Sequence, residues 1–293
     1  MGEFFVKEQE VVEKRENKGY VVITGCDTGI GYNLAINMLD KGYSLIISYL
    51  ENNPFSTNDD VHAKRLDLRK QEDVDGFCAY VQNICQEQDT KLSGIVMNAG
   101  VALGGPVENI PMNIYRECFE INYFGLVTIT KALITALIRS KGRIMVIGSM
   151  AGRIALPFLS PYVSTKFALE GFCDSLRREM NPFGIKTILI EPAAVATPIW
   201  NKAKRQDISF ADKKYMKSLY LFRDNFIEDG NNGLSADVAA AKITDIFSKK
   251  CPHSRYIIAK NSFVSKLMLL LPSWLVDFAV TKMFQMDYGS SQK

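Results

Sequence analysis

A tyrosine four residues ahead of a lysine can move protons, and the chain has two such pairs, Tyr162…Lys166 and Tyr256…Lys260. A free phenol ionises near pH 10 and is a poor base at neutrality, but an adjacent ammonium favours the phenolate. Two unit charges about 5 Å apart, at an effective dielectric of about 20, interact by roughly 3 kcal/mol, or about two pKa units. That is enough to bring a tyrosine toward general acid/base work. Whether the two side chains meet depends on the element that carries them. Ser160-Pro161 reads as a capping serine with proline at the first helical position, so Tyr162 and Lys166 share one helical face about 6 Å apart. Tyr256-Ile-Ile-Ala-Lys260 reads as a strand, where four residues span about 13 Å, so that pair cannot share a proton.

The second constellation is a glycine-rich turn. Val21-Val22-Ile23-Thr24 leads into Gly25-Cys26-Asp27-Thr28-Gly29-Ile30-Gly31, and a helical pattern follows. A strand ending in glycines at a helix N-terminus suits a dinucleotide pyrophosphate, because the backbone can approach closely and the helix end favours an anion. The spacing is Thr-Gly-x-x-x-Gly-x-Gly rather than Gly-x-Gly-x-x-Gly. Metal chemistry finds no support. The only histidines, His62 and His253, stand alone, and Cys26, Cys78, Cys85, Cys118, Cys173 and Cys251 form no Cys-x-x-Cys pair. Buried thiols in a reducing compartment are expected.

These residues need elements to position them. Strand-like runs cover Tyr20–Thr24, Ser44–Ser48, Ala63–Leu66, Gly94–Met97, Arg143–Ile147 and Lys186–Ile190. Helical segments alternate with them: Ile30–Lys41, Gln71–Gln88, Pro111–Arg139 with a break near Asn122, and Pro161–Asn181. Alternating β and α predicts an α/β fold with a doubly wound parallel sheet in three layers. The 293 residues allow one large domain. Residues 1–18 read as a polar extension without the apolar core of a secretory signal, 19–261 as the catalytic domain, and 201–233 as an insertion at one end of the sheet with a turn at Gly230–Gly233. A net charge of +3 gives no nucleic-acid footprint.

Taken in order, the motifs resemble the short-chain dehydrogenase/reductase family over roughly residues 20–200. They are TGCDTGIG (24–31), Leu66-Asp67-Leu68, Asn98-Ala99-Gly100, Asn122, Ser149 and Tyr162…Lys166. The resemblance implies a Rossmann fold and a nicotinamide cofactor. It makes Tyr162 the proton donor and acceptor, Lys166 its tuner and the holder of the nicotinamide ribose, and Ser149 the partner of the substrate oxygen. Asn122 is implied to support a water between Lys166 and solvent. Gly25, Asp27, Thr28, Gly29, Ile30, Gly31, Asp67, Leu68, Asn98, Ala99, Gly100, Pro192, Val195 and Thr197 are implied to line the cofactor site. One departure is Ala193, after Pro192, where the family has glycine. If φ is positive there, alanine costs about 1 kcal/mol, and a slightly altered nicotinamide pocket is expected.

The Cys26-Asp27-Thr28-Gly29 string is similar to the retinol, hydroxysteroid and hydroxybutyrate dehydrogenase branch. There the aspartate accompanies NAD(H) preference, and no Lys or Arg in the loop or at Ser48-Tyr49-Leu50 invites the phosphate of NADP(H). Asp27 either accepts from a ribose hydroxyl or only orders the loop, and NADP(H) stays open. The function implied is interconversion of an alcohol and its carbonyl. A non-catalytic nucleotide-binding redox sensor is the alternative, and an epimerase-like protein is disfavoured by the glycine spacing. A homodimer or homotetramer through 112–139 and 161–181 is expected, because Leu126–Ile138 is apolar over more than one stripe.

The segment 262–293 carries a dense apolar set from Phe263 to Phe284, interrupted by Pro272. It is too short to span a bilayer. Three fates stay open: an apolar roof over the substrate cleft, an oligomer contact, or an element lying on a membrane. The expected location is cytoplasmic, with peripheral membrane attachment as a variant.

Overall fold

The computed structural model describes residues 18–88 and 90–286. The polar extension lies outside these residues apart from Lys18, as does the chain beyond Met286.

The apolar runs become β1 (Tyr20–Ile23), β2 (Ser44–Tyr49), β3 (Val61–Arg65), β4 (Leu92–Met97), β5 (Arg143–Ile147), β6 (Lys186–Pro192), the short β7 (Val195–Ala196) and β8 (Leu234–Ser235), and β9 (Arg255–Ile258). A seven-stranded sheet runs in the order β3-β2-β1-β4-β5-β6-β9, with every pairing parallel. The helices are α1 (Gly29–Asp40), α2 (Gln71–Glu87), α3 (Met112–Phe119), α4 (Gly125–Ser140), α5 (Ser160–Met180), α6 (Ile199–Arg205), α7 (Lys213–Asn231), α8 (Ala236–Ser248), α9 (Ser262–Met268) and α10 (Ser273–Met283).

Strand side chains alternate between the two faces of the sheet. Val21, Ile23, Leu45 and Ile47 meet Leu34 and Met38 of α1 and Ile243 and Phe247 of α8. Val22, Ile46, Ile95 and Ile144 meet Phe77 of α2, Leu133 of α4 and Leu169 of α5. Both faces are covered, which is why the strands read as unbroken apolar runs. This is the three-layer, doubly wound fold expected. The helical stretch 112–140 is long and apolar enough to cross a membrane by length and composition. Its Ile129, Leu133 and Leu137 lie in the core between sheet and α2, so it flanks the sheet.

The helix break expected near Asn122 is a π-helical turn, Glu120–Phe124, between α3 and α4. Such a turn accommodates one extra residue and re-aims side chains, often at functional sites. Here it buries the Asn122 amide.

Three local expectations are corrected. Ser160 is the first residue of α5 rather than its cap, and its hydroxyl pairs with the Tyr115 hydroxyl at 2.6 Å. Gly230 and Asn231 are the last residues of α7, and the turn begins only at Asn232; the Gly230 backbone lies directly against the Trp200 ring, where any side chain would collide. Cys251 is exposed and Cys85 half-buried, while the other four cysteines are buried.

Candidate active site

Strand order reverses between β1 and β4, so the connections leaving their C-terminal ends diverge and open a crevice. A cleft of about 720 Å³ occupies it. The turn after β1 is held rigidly. The Thr24 hydroxyl accepts from the Asn98 and Ala99 amides at 3.0 and 3.1 Å, and the Asn98 side chain donates to the Thr24 and Gly25 carbonyls at 3.0 Å each. Gly25 adopts φ +72°, and a Cβ there would sit 2.9 Å from the Ala99 backbone. A Cβ at Gly31 would overlap the Gly25 carbonyl oxygen. Both positions therefore require glycine. Thr28 caps α1 in extended conformation without a side-chain cap bond, so its own hydroxyl leaves the first-turn N–H groups free of a cap. A close, uncapped backbone cradle at a helix N-terminus fits a pyrophosphate.

On the far side of this turn lie the two acids expected near the adenosine half. Asp27 accepts from the backbone N–H groups of Leu50, Glu51 and Asn52 at 2.8–3.1 Å. It ties the chain leaving β2 to the glycine turn, which is the loop-ordering role. Buried Asp67 is gripped by Arg69, Nε to Oδ1 at 2.9 Å and Nη2 to Oδ2 at 2.8 Å, and this pairing lowers its pKa. Leu68 lines the cleft beside it.

The other end carries the candidate chemistry. Ser149 follows β5, and its hydroxyl accepts from the Ala151 amide at 3.1 Å. Tyr162 and Lys166 face the same cleft from α5, with the ammonium 5.6 Å from the phenol ring centre. Lys166 is buried and donates to the Ile147 carbonyl at 3.0 Å. Burial pulls its pKa down to about 8. Burial also raises the Tyr162 pKa, which its side-chain bond with Ser149 opposes. Desolvation is thus the largest influence on the phenol here and raises its pKa, opposite to the lowering expected from the ammonium. Asn122 spans the elements behind. It exchanges two hydrogen bonds with the Val101 backbone at 2.9 Å and donates to the Thr165 hydroxyl at 3.0 Å. Thr165 in turn donates to the Tyr162 carbonyl at 2.7 Å.

The family model for short chain dehydrogenase matches residues 19–208, well over half of the chain. The chain belongs to this family. Among its relatives, the 3β-hydroxysteroid dehydrogenase of Caenorhabditis elegans is 34% identical over 98% of this chain and 80% of the relative. The NADPH-dependent 3-dehydrocapnine reductase of Ornithobacterium rhinotracheale is 32% identical over 88% of this chain and 94% of the relative. A short chain dehydrogenase/reductase of Burkholderia phymatum, solved with NAD, has the same fold, with a TM-score of 0.73 at 17% identity over 90% of this chain and 96% of that one.

This short-chain dehydrogenase is accordingly an NAD(P)-dependent oxidoreductase, and its structure gathers nearly all the residues singled out in the sequence. Gly25, Asp27, Thr28, Gly29, Ile30, Asp67, Leu68, Asn98, Ala99, Gly100, Ser149, Tyr162, Lys166, Pro192, Val195 and Thr197 line one cleft. Gly31 and Asn122 stand behind it as supports. Ala193 has no positive φ, so the strain entertained for it does not arise; its amide donates to the Ile258 carbonyl at 2.9 Å. Tyr256 and Lys260 lie at the sheet edge, away from the cleft lining. Two features had no sequence signal: the Ile147 carbonyl that receives Lys166, and the part of the apolar wall beyond Tyr162 made by Leu156, Trp200 and Phe226, which Met268 of the C-terminal segment completes.

Proposed function

We propose that this enzyme interconverts a lipophilic alcohol, of steroid, retinoid or acyl type, and its carbonyl, with Tyr162 as general acid and base. One observation carries the reading: the cleft beside the Ser149–Tyr162–Lys166 group is walled by Leu156, Trp200, Phe226 and Met268. Such a wall favours an apolar substrate body by about 25 cal/mol per Å² buried. A bound nicotinamide supplies the hydride acceptor or donor. Ser149 holds the substrate oxygen, and Tyr162 takes the hydroxyl proton in oxidation or gives it back in reduction. Lys166 holds the ribose hydroxyls and Asn122 supports a water that relays protons to it. The presence of both Tyr162 and Lys166 favours a catalyst over a redox sensor.

NAD(H) is the preferred cofactor in this reading. A ribose phosphate beside Asp27 would meet a carboxylate, and of the cations lining the cleft Lys202 pairs with Glu51 at 3.7 Å and Arg69 with Asp67 at 2.8 Å. The kcat/KM for NAD is expected to exceed that for NADP at least tenfold. A preference of that size for NADP would leave Asp27 as a loop tie alone.

The C-terminal helices form the roof. Ser265 and Met268 of α9 line the cleft, and Phe284 packs on Phe222 with ring centres 5.1 Å apart. Their outer side, including Phe263, Leu270, Trp274 and Phe278 at 60–78% exposure, is left for an oligomer or a lipid surface. Phe124 and Phe167, exposed beside α4 and α5, suit self-association through those helices. Truncation after Asn261 is expected to raise KM for cyclododecanol tenfold or more, and for isopropanol less than twofold, with NADH affinity unchanged. The milder Met268→Ser should shift the same ratio in the same direction. Equal losses for both alcohols would reject the roof. Light scattering and co-sedimentation with phosphatidylcholine–phosphatidylserine vesicles, before and after truncation, assign the outer face.

A further inference from the structure

Tyr162 and Lys166 begin a stripe on α5 that continues, at the same four-residue step, through Glu170 and Asp174. The last two are part of an ionic cluster around the buried Glu191 that the chemistry described above does not use. Arg255, on the edge strand β9, reaches Glu170 at 2.9 Å, Asp174 at 3.2 Å and Glu191 at 3.6 Å. Arg153 reaches Glu191 from the other side at 3.3 Å. Arg177 and Arg178 hold the outer end of Asp174 at 3.5 and 3.6 Å, and the buried Cys173 thiol lies among these groups. Glu191 is 1% exposed, and its carboxyl faces that of Glu170.

What the cluster joins is informative. Arg153 ends the short 3-10 turn Met150–Gly152 that begins at Ser149. Glu191 directly precedes Pro192, at the end of β6, where the cleft wall begins. Glu170 lies one helical turn beyond Lys166. The turn and the helix touch at Gly152, where a Cβ would lie 2.9 Å from the Lys166 carbonyl oxygen and 3.3 Å from Glu170 Oε1. Three separate segments that present Ser149, the Tyr162–Lys166 pair and Pro192 are thereby fastened at their backs by one set of charges. Removing one partner of a pair around the buried Glu191 would leave its charge uncompensated, which disfavours any separation of these segments. A displacement of about 1 Å in a catalytic group can cost 10²-fold in rate.

We propose that Glu170 is a positioning residue for this reaction: through Arg255, Glu191 and Arg153 it sets the Ser149 turn against the Tyr162–Lys166 helix. Burial and the neighbouring Glu191 carboxylate raise the Glu170 pKa to about 7. The proposal rests on Tyr162 being the acid/base, and a Tyr162→Phe control in the same assay tests that reading separately.

The test uses the full chain with Glu170→Leu, Glu170→Gln, Arg153→Met and the Leu/Met double variant. Hydrogen exchange reads the positioning without any substrate. The Gly152 and Arg153 amides, bonded to Ser149 and Met150 carbonyls at 2.9 and 3.0 Å, should exchange tenfold or more faster in Glu170→Leu, with the amides of β1 unchanged. In turnover of cyclododecanol or isopropanol, whichever is faster, Glu170→Leu should lower kcat about tenfold with the KM for NAD changed less than twofold. Glu170→Gln, which keeps the shape and can donate to Glu191, should recover to within about threefold of wild type. The double variant should be no slower than the worse single, as expected when two residues act as one unit. Unchanged exchange at residues 152–153 would overturn the proposal. So would multiplying kinetic losses or a loss that Gln does not relieve. If Glu170→Leu fails to fold, the partly exposed Arg153→Met carries the same exchange and kcat readouts.

Discussion

Tyr162→Phe is expected to lower kcat by 10²–10⁴-fold, the usual worth of a positioned general acid or base, while cofactor affinity stays within about twofold. The substitution removes one oxygen and its proton from a side chain otherwise held by its backbone: the Tyr162 carbonyl is anchored by Thr165 at 2.7 Å. The phenol would give the proton in reduction and, as phenolate, take it in oxidation, the same transfer run in reverse, so both directions should slow alike. Stopped-flow absorbance of the nicotinamide in single turnover separates the chemical step from product release. Retention of more than a tenth of wild-type rate would remove Tyr162 from the mechanism.

Lys166→Met is expected to abolish turnover, weaken cofactor binding and yet raise the melting temperature at pH 7. The buried ammonium donates a hydrogen bond to the Ile147 carbonyl. Its pKa falls from 10.5 to about 8 in the folded chain. At 1.36 kcal/mol per pKa unit that is a folding cost of about 3 kcal/mol at pH 7, where the group is charged both folded and unfolded. Loss of the carbonyl hydrogen bond in the variant returns about 1 kcal/mol of this. As pH rises through about 8 the folded chain releases the proton while the unfolded chain still holds it, so the wild type gains stability relative to the variant up to about pH 10.5. Calorimetry across this range should show the variant's advantage greatest at pH 7 and shrinking above pH 8. A variant that melts lower than wild type at pH 7 would contradict the account. Stability sacrificed at a functional group is a common trade.

Much of this architecture is legible from local pattern. The continuous apolar strands announce burial on both faces, and the Thr24–Gly31 turn announces its own cradle because the glycines and the helix that follows are adjacent in sequence. Tyr162 and Lys166 are legible because an α-helix makes i and i+4 neighbours. Even the π-helical turn at Asn122 leaves a trace, as a helical segment too long to run unbroken. What escapes is contact between distant segments. Nothing near Arg153 points to Glu191, 38 residues away, and nothing near Asp27 shows that its carboxylate will close on Leu50–Asn52. The phenol's raised pKa escapes for a related reason: spacing reveals a neighbouring charge but not how much water the fold removes.

The Asp27 tie links two traits that are usually treated apart. One carboxylate both faces the adenosine end of the cleft and receives the amides of Leu50, Glu51 and Asn52, so a change at position 27 unfastens the chain leaving β2 as well as altering the charge there. A single replacement aimed at admitting a phosphate-bearing nucleotide would leave three N–H groups without their acceptor, each costing on the order of 1 kcal/mol unless water takes the place. If Asp27 sets the NAD(H) preference as proposed, cofactor choice in this chain is a two-site character. A switch needs a new anchor for the 50–52 segment before, or together with, the loss of the acid, and descendants that carry one change without the other should be both less selective and less stable.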